Sequence, residues 1–189
     1  ARLAEAKLIK PGELLNLNPN DIKVSSFKFQ VSGLEGFLFP DTYKFSKNSS
    51  VEEIAVKALN NFDRKLTDDL RTEIQKQGET VYEIITLASI VQNEAANNEE
   101  MPALAGVFYN RLKIGLMLQS DATINYVTGK NQRQPSAEDV LVKSLYNTYQ
   151  YKGLPPGPIS NPGIEAIKAA IYPQNTDYLY FLHPLDGPA

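Results

Sequence analysis

The chain has no cysteine and only one histidine, His183, in 189 residues. Without thiols there is no disulfide, no thiolate nucleophile and no Cys-based metal site, and one imidazole cannot build a multi-histidine centre. His183 stands between Leu182 and Pro184 near the chain end, where a structural or surface role is expected. Positive charge is not in excess either. The net charge is −3 and the pI about 5.3, whereas duplex-binding domains carry a basic face and a high pI, so nucleic acid is not an expected partner. No run approaches the ~18 apolar residues that span a bilayer, and no secretory apolar segment opens the chain. Internal repeats, heptads and low-complexity stretches are also missing.

What remains has the balance of a globular protein with one main core: 42% apolar and 22% charged residues, with ten Tyr and eight Phe. Thr80 and Glu83 form a capping box ahead of an apolar run, so a helix is predicted from about residue 80 to 99. Ile84, Leu87, Ala88 and Val91 recur on one face, and Glu94 and Ala95 continue that stripe. A carboxyl group drawn out of water favours its neutral form, and a neutral glutamic acid can act as a general acid. The alternative is a helix that ends near Val91 and leaves Glu94 in a solvated last turn. Either way Glu94 is the first candidate for chemistry.

Ser50 and Glu53 make a second capping box, opening a helix through Phe62, and an amphipathic stretch follows over 66–76. Pro102 suits the first turn of a helix through Leu104, Val107, Phe108 and Leu112. Ser136 with Asp139 suggests a short helix, and Asn161-Pro162 reads as cap and first residue of a helix over 164–171. Alternation at Phe27, Phe29 and Val31, and the run Tyr178 to Leu182, predict short strands. The fold class expected is therefore α+β, a helix-rich central core with short strands toward both ends. Residues 1–33, which begin in an apparent helix and become Asn-rich, read as a linker or the remnant of a preceding module, and the chain as a fragment.

Two polar segments read as loops. Met117 to Thr123 gathers Gln119, Ser120, Asp121 and Thr123, and Tyr146 to Ile159 joins Asn147 and Tyr149 to a stiff Gly-Leu-Pro-Pro-Gly-Pro run. Amides, carboxylates and rings on rigid backbone suit a sugar-binding cleft, and equally suit polar turns with aromatic packing.

Seven ordered motifs resemble one family: Leu34 to Tyr43 (LEGFLFPDTY), Ala88 to Glu94 (ASIVQNE), Val107 to Leu112 (VFYNRL), Leu118 to Thr123 (LQSDAT), Tyr146 to Tyr149 (YNTY), Gly153 to Ile159 (GLPPGPI) and Asn161 to Gly163 (NPG). They are similar to the endolytic murein transglycosylases of the MltG, or YceG-like, type. The resemblance implies a single catalytic domain over 34–189, truncated at its C-terminus, and a LysM-like module and membrane anchor ahead of it that this chain lacks. It implies Glu94 as the catalytic acid, although the family often has a second glutamate where Gln92 stands. It also implies non-hydrolytic cleavage of MurNAc-β-1,4-GlcNAc bonds within peptidoglycan strands, with 1,6-anhydro products, no metal and no cofactor. Asp121 is then the best second acid, Gln119 and Asn147 are candidate orienters, and Tyr43 and Tyr149 are candidate stacking surfaces. Peptidoglycan synthases of the elongation or division machinery are candidate partners, and the site is expected to face outward from the cytoplasmic membrane. The competing readings are a non-catalytic glycan-binding scaffold and a hydrolytic muramidase, the latter requiring two carboxylates.

Overall fold

Both capping boxes open helices. The Ser50 hydroxyl accepts from the Glu53 amide at 3.2 Å while the Glu53 carboxylate accepts from the Ser50 amide at 3.0 Å, starting α1 (Val51–Lys65). After α2 (Asp68–Lys76), Thr80 and Glu83 repeat the device at the start of α3 (Val81–Glu94). Helix α4 (Met101–Lys113) has Pro102 in its first turn, where an amide would have no helical partner. Helices α5 (Asp121–Thr128) and α6 (Ile164–Ile171) follow, with a 3-10 turn at Asp139–Leu141 between them. This is a computed structural model, and it describes residues 9–10, 12–14, 16–17, 22 and 33–182.

Helix α3 is the centre of the molecule. Every residue from Ile84 to Val91 is buried, Thr86 and Ser89 included. The predicted one-sided stripe is thus a helix enclosed all round, because α2, α4, α5 and α6 all pack against it. Its two buried hydroxyls need partners, and they find them on α3 itself: Thr86 Oγ1 donates to the Tyr82 carbonyl and Ser89 Oγ to that of Thr86, both at 2.7 Å. Ser89 Oγ also accepts from the Ile159 amide at 3.0 Å, drawing the proline-rich segment along the helix. The aromatic segment after Gly33 folds over the same core, burying Leu34, Phe37 and Phe39. Gly36 makes this possible: its φ is +89°, and a Cβ there would lie 2.7 Å from Pro158 Cβ and 2.8 Å from Ile85 Cγ2.

The expected α+β class is not what forms. Among the described residues there is no strand, and the expected strand over Phe27 to Val31 lies outside them, as do residues 1–8 of the expected opening helix and His183. The run Tyr178 to Leu182 forms no strand. Side chains of α4 take the place of a ladder: Asn110 Nδ2 donates to the carbonyls of Thr176 (2.7 Å) and Tyr178 (2.9 Å), and Arg111 to that of Leu179 (3.1 Å). A short apolar run reads as a strand because the pattern carries no information about what will satisfy the backbone.

Two other boundaries differ. Residues 121–123, read as loop, are the first turn of α5. Asn161 does not cap α6; its Oδ1 accepts from the Leu38 amide at 3.0 Å, and Gly163 occupies the cap. The Gly163 amide donates to Gln92 Oε1 at 2.9 Å, so the Gln92 side chain is held at the start of α6.

Candidate functional site

Glu94 is the last residue of α3, half-buried, where the apolar enclosure of the helix opens. It is neither in the dry stripe nor fully solvated, so neither sequence alternative describes it. Its surroundings are set by the start of α5. Ser120 is the cap residue of α5, but its hydroxyl does not accept from its own helix as a capping serine usually does. It donates instead to Glu94 Oε1, and the amide of Ala122 donates to the same oxygen at 3.0 Å. The carboxylate of α3 therefore caps α5 from outside, taking an amide that the helix itself cannot use, at the end where the helix dipole favours negative charge. An amide can only donate, so Oε1 is an acceptor, and a proton on this carboxyl group belongs on Oε2. Among the described residues Oε2 has no hydrogen-bond partner.

Behind Ser120 lies a buried hydroxyl cluster. The Ser120 amide donates to Thr148 Oγ1 at 3.0 Å, and Thr123 Oγ1 donates to the Ser120 carbonyl at 2.7 Å. Thr123 Oγ1 and Thr148 Oγ1 are 2.9 Å apart. Since Thr123 has one hydroxyl proton and gives it to Ser120, Thr148 must be the donor in that pair. The Gln119 amide donates to the Thr148 carbonyl at 3.0 Å, closing the junction between the two polar segments.

The remaining predicted residues fall into place around this junction, with one outlier. Gln119 has a left-handed backbone, φ 51°, a conformation that costs a side-chain-bearing residue on the order of 1 kcal/mol. It is kept there by Thr148 and by Arg111, whose guanidinium donates to Gln119 Oε1 at 2.5 Å and to the Met117 carbonyl at 2.8 Å. Asp121, in the first turn of α5, accepts from the Tyr149 hydroxyl at 2.5 Å. Burial first, and then the hydrogen bond to Asp121, push the Tyr149 phenol above its ordinary value, so it stays a donor. Asn147 is fully buried. Its amide donates to the carbonyls of Val140 and Val142 at 3.1 and 2.7 Å, and its Oδ1 accepts from the Tyr149 amide at 2.9 Å. Tyr43 lies elsewhere, against α1, with its hydroxyl on the Phe39 carbonyl at 2.6 Å and Asn61 Nδ2 at 3.0 Å.

The structure thus brings together Glu94, Gln119, Asp121, Asn147 and Tyr149. Sequence reasoning placed Ser120 and Thr123 in the polar segment without assigning either a role, and gave none to Thr148 and Arg111. Ser120 could have been found, since a serine before a helix is a cap signal, but α5 itself was hidden by the polar run that begins it.

A model of the YceG-like family matches residues 2–188. The chain belongs to the YceG-like family. This YceG-like chain is 39% identical over 154 residues to a Bacillus subtilis protein named endolytic murein transglycosylase, covering 82% of this chain and 43% of that one. A Streptococcus pneumoniae protein of the same name is 40% identical over 154 residues, covering 79% and 28%. A crystal structure of a yceG-like protein from Listeria monocytogenes superposes with a TM-score of 0.74 at 36% identity, covering 94% of this chain and 57% of that one. The YceG-like chain therefore spans less than half the length of these two curated relatives.

Proposed function

We propose that this chain is the catalytic part of an endolytic murein transglycosylase, and that Glu94 is its acid and base. The observation that carries the reading is the unequal treatment of the two Glu94 oxygens: Oε1 is held by Ser120 and Ala122, which leaves Oε2 to exchange a proton with substrate. The relatives' names supply the reaction class. Protonated Oε2 gives its proton to the glycosidic oxygen as the bond to C1 of the muramyl sugar breaks. The same oxygen then takes the proton of that sugar's C6 hydroxyl as O6 bonds to C1, closing a 1,6-anhydro ring. The proton count balances on one carboxyl group without water, and the sugar's own N-acetyl group can stabilise the charge that develops at C1.

In this reading Asp121 and Tyr149 form one polar wall, Gln119 presents its free amide nitrogen, and Asn147 positions Tyr149 from behind. A stacking role for Tyr43 would serve a part of the strand that does not touch the Glu94 cluster. Residues 34–189 form the catalytic domain, and 1–33 are a linker or the remnant of a preceding module. The substrate is the peptidoglycan glycan strand, the setting is the outer side of the cytoplasmic membrane, and cell-wall synthases are partners. No helix among the described residues is long and apolar enough to cross a membrane.

The test is mass spectrometry of peptidoglycan incubated with the full-length protein, with Glu94→Gln and with Asp121→Asn. Anhydro ends from wild type, none from Glu94→Gln and substantial activity in Asp121→Asn are expected. Reducing ends would make the protein a muramidase, and no cleavage by wild type would favour a glycan-binding scaffold.

A further inference from the structure

A concavity lies away from Glu94. A cavity of about 770 Å³ opens between the first half of α3 and the last turns of α4, walled by Tyr82, Leu87, Tyr109, Leu112, Pro155 and Pro156. Rings, prolines and aliphatic side chains of this kind suit the apolar faces of sugars. Three polar groups on its lining have no partner among the described residues. They are the Glu79 carboxylate, the Lys113 ammonium and Asn110 Oδ1, the Asn110 nitrogen being held by Thr176 and Tyr178. Two acceptors and one donor match hydroxyl and acetamido groups. Glu83 also faces the cavity, but its carboxylate is held by Thr80.

The position of the cavity relative to Glu94 follows from helix geometry. Leu87 and Glu94 are seven residues apart and Glu83 and Glu94 eleven, so each pair lies within about 20° on the same side of α3, roughly 10 and 16 Å apart along its axis. The proline-rich segment runs the same course. Tyr82 donates to the Pro156 carbonyl at 3.1 Å at one end, and Asn93, beside Glu94, donates to Ser160 Oγ at 2.8 Å at the other.

We propose that this cavity is a distal glycan-binding site, which holds a sugar of the same strand whose bond Glu94 breaks; the inference rests on the reading of Glu94 given above. A strand that reaches only the Glu94 end forgoes the contacts of the cavity. Long strands are thereby selected, and the cut falls within a strand, because binding far from the bond is needed to hold it there.

The experiment uses peptide-free glycan strands of two lengths, one long enough to reach the cavity from Glu94 and one too short, with the full-length protein and its Glu79→Gln/Lys113→Ala variant. Lys113 is exposed and Glu79 half-buried, and folding is checked by an unchanged melting temperature. The ratio of kcat/KM for long over short strands is expected to fall roughly tenfold in the variant. An unchanged ratio, or an effect seen only with strands that still bear peptide, overturns the proposal; the latter would make the cavity a peptide site. Calorimetric binding of long peptide-free strands to Glu94→Gln, with and without the two cavity substitutions, separates the two readings. A weaker affinity in the triple variant supports the cavity site even if wild type yields no anhydro product, and equal affinities refute it even if wild type is active.

Discussion

Ser120→Ala is the sharpest perturbation of the proposed mechanism. It deletes one oxygen, 1% exposed at the residue level, and leaves the Ala122 amide as the remaining donor to Glu94 Oε1. The backbone bonds that hold Ser120 to Thr148 and Thr123 do not use its hydroxyl. The fold should therefore survive at a cost of about 1 kcal/mol. The effect on the reaction is larger, because a hydrogen bond to a charged acceptor is worth about 1.5–3 kcal/mol. At about 1.4 kcal/mol for each tenfold in rate, kcat should fall roughly 10- to 150-fold. Substrate cannot reach so buried a side chain, so KM should change little. The assay is the rate of anhydro-end formation at saturating and limiting strand concentration, beside a thermal melt. A kcat within about threefold of wild type in a folded variant would refute the idea that Ser120 holds the reacting carboxylate, and a rise in KM alone would make it a substrate contact.

Gly106→Ala tests how the C-terminal segment is seated. A Cβ at 106 would overlap the backbone carbonyl oxygen of Gln174, whose own amide is held by the Pro102 carbonyl at 2.8 Å, so neither side can give way easily. A loss of about 2 kcal/mol, seen as a fall of roughly 4–8 °C in Tm, is expected, and an unchanged Tm would show that the segment is free to shift. Asp139 supplies a pH test. The hydrogen bond from Lys130 Nζ at 2.6 Å, and then those from Ser136, hold its carboxyl below the ordinary 3.8. A value lowered by folding means stability that is present above 3.8 and lost as pH falls through the lowered folded value. The stability gap between wild type and Asp139→Asn should therefore close as pH drops from about 5 to about 2, measured by urea midpoints; a gap independent of pH would contradict the assignment.

The sequence by itself determined what depends on neighbours three or four residues away. The capping boxes at Ser50 and Thr80, the helices they open, the proline in the first turn of α4 and the position of Glu94 at the end of an apolar run are all of this kind, because each rests on contacts within one helical turn. Only the tertiary structure decided the partners of polar groups far apart in the chain. Tyr178 to Leu182 is an apolar run that reads as a strand, yet the carbonyls of Tyr178 and Leu179 are taken by Asn110 and Arg111, 68 residues earlier, and no strand forms there. Met117 to Thr123 reads as a polar loop, yet Glu94, 28 residues before Ala122, caps the helix that starts within it. A hydrogen bond across such a span leaves no periodic trace in the sequence. The two unlike oxygens of Glu94 are a property of the packing of α3 against α5, and of no segment alone.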